Sequence, residues 1–151
     1  MTRNVAARAA DMALMQAHSH ATVLVHIVWS TQRRARVLPR DFDGSLAVLL
    51  RDKAQALGCP LLGIGVAPDH VHVVARLAAA VALANLVQRM KGGSAHDTNA
   101  ACSLGVTLRW QGGYWAESLA PPDVDALLRY LGAQRARHDD SHPAEMWQMS
   151  Q

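Results

Sequence analysis

Two histidines one residue apart, His70 and His72, stand in the segment HVHVVARL. Side chains alternate across a strand, so both rings project from one face with their Cα atoms about 6.6 Å apart. Val71 and Val73 project from the other face, toward a core. Two imidazoles so placed converge on one metal ion. The same spacing equally describes a pair of surface histidines on a half-exposed strand, because histidine is common at intermediate burial. Asp69 precedes the pair. It either orients a ring nitrogen or serves as the acid of a turn, and the turn is the reading that Pro68-Asp69 favours. Sixty residues on, Tyr130 and Gln134 sit four apart and share a helix face, with Leu127, Leu128 and Leu131 as apolar cover on adjoining faces. Alone, such a pair is equally a half-buried core tyrosine beside a solvated glutamine.

The elements that would hold these residues follow from periodicity and punctuation. Thr22 to Ser30 (TVLVHIVWS) is β-branched and apolar, a buried strand in which Trp29 is core. Asp41 or Asp43 caps a helix to about Leu57, where Leu46, Leu49, Leu50 and Ala54 recur at helical spacing before Gly58. Pro60 to Ala67 and His70 to Leu77 read as strands joined by Pro68-Asp69 into an antiparallel hairpin. A second helix spans Val81 to about Met90, and Lys91-Gly92-Gly93-Ser94 interrupts or bends it. Thr107 to Trp110 and Tyr114 to Leu119 are candidate short strands. Pro121-Pro122-Asp123 opens a last helix to about His138. Strand, helix, strand, strand, helix, strand, helix is the order of an α+β protein. It implies a ferredoxin-like, RRM-like antiparallel sheet with helices on one face, plus a C-terminal helix carrying the tyrosine. Residues 1–20 read as a flexible extension, 21–138 as one domain and 139–151 as a polar tail.

The 151 residues suffice for one domain with a proper core. No apolar run approaches the roughly 18 to 20 residues that cross a bilayer, so no membrane partner is expected. The N-terminal stretch has Arg3 and Arg8 and an alanine-rich run broken by Asp11 and Gln16. That is not the pattern of a signal peptide, and a cytoplasmic location is expected. Cys59 and Cys102, outside any C-x-x-C pair, are expected to be reduced. The net charge is +3, but between Ala21 and His138 there are 13 Lys and Arg against 8 Asp and Glu. Arg33, Arg34, Arg36 and Arg40 cluster there, either as a solvated loop or as contacts to a phosphate-rich partner.

From about His26 to His138 the sequence resembles the single-tyrosine HUH transposases of the insertion-sequence-200/605 and REP-associated type. The segments that carry the resemblance are HIVWSTQRR, GCPLLGIGVAPDHVHVV, LVQRMKGGSA, WQGGYWAESL and RYLGAQ. The resemblance implies that His70 and His72 are metal ligands, Tyr130 the nucleophile and Gln134 a third ligand on the tyrosine helix. It implies Mg²⁺ or Mn²⁺, single-stranded DNA with a hairpin near the cleavage site, and a homodimer in which one subunit's tyrosine can serve the other's histidines. Lys91 and Ser94 match a K-G-x-S segment expected to lie against DNA, and Arg33, Arg34 and Arg36 become candidate backbone-phosphate contacts. Tyr114 and Trp115 are candidates for stacking on bases.

The expected chemistry is transesterification. A phenol of pKa near 10 is a weak nucleophile unless its target phosphate is activated, which a divalent cation does. Two imidazoles and an amide oxygen suit Mn²⁺ better than Mg²⁺; outside the family, zinc would be the expected ion. The expected function is therefore a single-stranded DNA transposase that nicks and rejoins DNA through a 5′-phosphotyrosine. The alternatives are a non-catalytic DNA-binding relative that keeps the fold, and a metal-dependent phosphodiesterase that forms no adduct.

Overall fold

The computed structural model describes residues 20–133. Its elements are β1 (Val23–Ser30), α1 (Asp43–Gln55), β2 (Leu61–Val66), β3 (His70–Leu77), α2 (Leu83–Ala100), β4 (Trp115–Leu119) and α3 (Val124–Gly132). The strands form one sheet in the order β2-β3-β1-β4, with every neighbouring pair antiparallel. This is the α+β, ferredoxin-like arrangement expected from the order of elements.

Alternation divides the sheet into two faces. Val25, Ile27 and Trp29 of β1 and Val71, Val73 and Ala75 of β3 join Leu46, Leu50 and Ala54 of α1 and Leu86, Val87 and Met90 of α2 in the main core. The opposite face carries His26, Val28 and Ser30 of β1, which lie across from Val74, His72 and His70 of β3.

That second face is not left to water. Helix α3 packs on β2 through a seat made of glycines. A Cβ at Gly63 would collide with Leu128 Cδ2, and one at Gly65 would stand 3.2 Å from Leu131 Cβ, Cδ2 and backbone oxygen. Gly65 is paired directly with His72, so the seat lies one strand away from the histidine pair. Leu131 is 4% exposed in the resulting contact.

Two expectations are corrected. Helix α2 runs unbroken through Lys91-Gly92-Gly93-Ser94 to Ala100. Glycine costs about 1 kcal/mol in a helix interior; here Gly93 earns its place because a Cβ would stand 2.8 Å from Lys53 Cε, so its absence lets α1 and α2 close. Thr107 to Trp110 does not form a strand; only Trp110 bridges, to Thr31. Asn99 ties this segment down instead, donating from Nδ2 to Leu108 O at 2.9 Å and accepting from Leu108 N at 2.7 Å. Trp29 is core, as expected, and both cysteines are free thiols.

Candidate active site

The histidine pair occupies the start of β3, beside the end of β1. His70 is 0% and His72 2% exposed, so the face expected to be half open is closed. Their rings lie 5.2 Å apart, centre to centre, inclined at 63°. Each ring is held by its Nδ1. His70 Nδ1 lies 2.7 Å from Asp69 Oδ1, and His72 Nδ1 lies 2.9 Å from His26 Nε2. Any ligand role in either ring therefore falls to Nε2, on the far side of the imidazole.

Asp69 orients a ring nitrogen through its carboxylate rather than serving as the acid of the turn, which corrects the reading that Pro68-Asp69 favoured. Its backbone oxygen accepts from Thr31 N at 2.8 Å, closing the connection between β2 and β3 against the end of β1. Its carboxylate accepts from Arg34 Nε at 3.0 Å through Oδ2 while Oδ1 faces His70. Burial alone would raise the carboxyl pKa; the hydrogen bonds from His70 and Arg34 outweigh it and bring it from 3.8 to about 2. Asp69 is thus an anion that cannot donate, which puts the shared proton on His70 Nδ1.

Arg34 is thereby a link in an Arg34-Asp69-His70 chain. It reaches Asp69 because the backbone turns sharply after β1, with Arg33 at φ 58° and Arg34 at φ 56°. Two consecutive left-handed residues without glycine are uncommon, and such strain clusters at functional sites. Arg33 and Arg36 remain exposed on the same turn, next to the histidine end of the sheet.

Helix α3 brings Tyr130 over this face. Its ring centre lies 6.1 Å from that of His72, with the planes at 72°. Tyr130 and His72 therefore meet within a single chain. Gln134, the expected third ligand, lies outside the described residues, as do the N-terminal extension and the polar tail.

Lys91 and Ser94, expected to lie against DNA, make contacts within the chain. Ser94 is 0% exposed; its Oγ donates to Lys91 O at 3.1 Å and accepts from Trp110 Nε1 at 3.1 Å. Lys91 Nζ donates to Gln111 O and Gly113 O, both at 2.6 Å, and burial lowers its pKa. Together they pin the Trp110–Gly113 turn to α2. Trp115 stands edge-on to His26 at 5.2 Å, while Tyr114 is 41% exposed.

His26 is the site residue that spacing did not single out. The available signal was its phase: in an apolar strand it shares a face with Ser30 rather than with Val25, Ile27 and Trp29.

The donor set suits a divalent cation. Both imidazoles are fixed through Nδ1, which leaves Nε2 as the atom for a ligand role and is the usual support for metal-binding histidines. Among the described residues no group of three or more His, Cys, Asp or Glu could hold a metal ion, so a third protein donor would have to come from elsewhere. No helix among the described residues is long and apolar enough to cross a membrane.

Comparison with known proteins places the chain in a family. The ISDra2 transposase TnpA of Deinococcus radiodurans is 30% identical over 93 residues, covering 62% of this chain and 66% of that protein, just under two thirds of its length. A Deinococcus radiodurans R1 protein assigned as a transposase, solved at 1.90 Å, shares the fold with a TM-score of 0.61 at 23% identity, over 78% of this chain and 95% of that one. A REP-associated tyrosine transposase bound to a REP hairpin shares it with a TM-score of 0.59 at 16% identity, over 82% and 74%. The sequence profile of IS200-like transposases matches residues 11–134, well over half of the chain. The chain belongs to the IS200-like transposase family.

Proposed function

We propose that this protein is a DNA strand transferase that cuts and rejoins single-stranded DNA at hairpin-flanked sites through a covalent bond to Tyr130. The observation that carries this reading is the approach of Tyr130 to within 6.1 Å of His72 on a face where both histidines are held by their Nδ1 atoms. The hairpin preference rests on the likeness to the REP-associated protein and on family membership.

The reaction balances without an external energy source. The Tyr130 oxygen forms a bond to the scissile phosphorus as the bond from phosphorus to the 3′ oxygen breaks. The phenolic proton is lost and the departing oxygen ends as a 3′-OH. A 5′-phosphotyrosine conserves the phosphodiester energy, so attack by another 3′-OH reverses the step and rejoins DNA.

His70, His72 and Gln134 would hold Mg²⁺ or Mn²⁺, which when bound supplies charge compensation at the phosphate. Asp69 and Arg34 fix the His70 ring, and Arg33 and Arg36 offer guanidinium groups to the DNA backbone beside it. Helix α3 supplies the nucleophile in cis. A dimer in which the helix serves its partner would have to lift α3 off the Gly63 and Gly65 seat.

Incubation with Mn²⁺ and end-labelled single-stranded DNA containing short hairpins tests the proposal. The expected result is nicking with a covalent protein-DNA band that Tyr130→Phe abolishes. Cleavage that survives Tyr130→Phe would identify a hydrolytic phosphodiesterase. Binding without nicking across a panel of hairpin sequences would identify a non-catalytic relative.

A further inference from the structure

The contact between His26 and His72 is a bond between two imidazoles, and the direction of its proton decides whether His72 can bind a metal. The ring centres are 5.1 Å apart and the planes differ by only 21°. That separation is close to the 2.9 Å between nitrogens plus the two ring radii, so the rings meet edge to edge, nearly coplanar, as an in-line N–H···N bond requires. A neutral imidazole carries one N–H. If His26 Nε2 donates, His72 carries its proton on Nε2 and has no lone pair for a ligand. If His72 Nδ1 donates, His72 Nε2 is the lone-pair nitrogen.

We propose that His26 is a positioning residue that accepts the His72 Nδ1–H and so fixes the tautomer whose Nε2 faces the metal position. This rests on the metal-dependent reading of the site given above. The scaffold suits the task. His26 sits in the interior of β1, paired with Val74 of β3 on one side and Glu117 of β4 on the other, so its backbone is fixed from both sides. Trp115 packs edge-on against its ring at 5.2 Å and 82°, limiting its rotation. His26 thus does for His72 what Asp69 does for His70. It does so with a neutral acceptor, and places no second carboxylate beside the position that a DNA phosphate must occupy.

Long-range ¹H–¹⁵N correlation of the histidine rings in the metal-free full chain, at mildly alkaline pH, reads the tautomer directly. The expected result is His72 protonated on Nδ1 in the wild type, and a shift toward the Nε2-protonated form in His26→Ala. The amide oxygen of His26→Gln can take the place of Nε2 as acceptor, and this variant is expected to restore the Nδ1 form. Mn²⁺ titration followed by electron paramagnetic resonance should show about 10- to 100-fold weaker binding in His26→Ala, the usual effect of losing such a partner. His26→Gln should recover most of that loss.

Wild-type His72 protonated on Nε2 would overturn the proposal. So would weakened Mn²⁺ binding that His26→Gln fails to rescue, which would assign His26 a role that only an imidazole can fill. A wild-type chain with His72 in the Nδ1 form that binds no Mn²⁺ would refute the metal reading of the site while supporting the positioning role. If His26→Ala does not fold, the wild-type spectrum and His26→Gln still decide the matter.

Discussion

Replacing Asp69 by asparagine keeps the shape of the side chain and removes the charge that joins Arg34 to His70. Burial acts to raise the carboxyl pKa, yet hydrogen bonds from His70 and Arg34 hold it at about 2 against the ordinary 3.8. A difference of nearly two pH units corresponds to about 2.5 kcal/mol of stability linked to ionisation. The Asp69 side chain is 14% exposed, so solvent screens this little. The sign follows from the folded pKa lying below the unfolded one. The stabilisation is fully present above pH 3.8 and is lost as pH falls toward 2. Urea unfolding of wild type and Asp69→Asn at a series of pH values should therefore show a stability gap that narrows by about 2 kcal/mol between pH 5 and pH 2. A gap independent of pH would show that Asp69 does not carry the ionic link assigned to it. In the same variant Mn²⁺ affinity should fall about 10-fold, because a neutral amide polarises His70 less than a carboxylate does.

Gly65→Val places a branched side chain against Leu131 Cβ and backbone oxygen, each already 3.2 Å from a hypothetical Cβ, and displaces α3. Adduct formation should fall about 100-fold while Mn²⁺ binding persists, since small misplacements of a nucleophile are costly; an unchanged rate would mean that the seat does not set the position of Tyr130. Substituting both Arg33 and Arg36 with alanine should weaken single-stranded DNA binding and lower the slope of log affinity against log salt by about 1.4, as expected for two phosphate contacts. An unchanged slope would place the DNA elsewhere. Ser94→Ala removes the acceptor of Trp110 Nε1 and should cost about 1 to 2 kcal/mol in thermal or urea unfolding, with DNA affinity unchanged at matched folded fraction. A selective loss of DNA binding would restore Ser94 to the interface.

The strand pattern was legible because it is local: β3 spans His70–Leu77 as alternation predicts, and the phase of its valines places both histidines on the other face. What hides those histidines is not local. His72 lies against Tyr130 of a helix sixty residues away that settles on Gly63 and Gly65, glycines that in sequence only weaken a strand. Lys91-Gly92-Gly93-Ser94 reads as a break for the same reason. Helix propensity penalises both glycines, whereas Lys53 packed over Gly93 and the turn held by Lys91 and Ser94 favour continuing the helix. The arginine cluster shows the limit of composition. Arg33 and Arg36 are exposed as a phosphate-binding loop requires, while Arg34 turns inward to Asp69 through a backbone conformation that residue type does not announce. His26 needed the register of β1 on β3, which sequence alone does not supply.

Tyr130 is expected to become covalently attached to the 5′ phosphate of cleaved DNA. Trypsin cuts after Arg129 and Arg135, releasing Tyr-Leu-Gly-Ala-Gln-Arg, a peptide in which Tyr130 carries the single hydroxyl side chain. Nuclease-trimmed digests of a reaction with Mn²⁺ and hairpin-bearing single-stranded DNA, analysed by tandem mass spectrometry, should contain this peptide with a 5′-phosphonucleotide on tyrosine. Nicked DNA without that peptide, or with the nucleotide on another residue, would contradict the account.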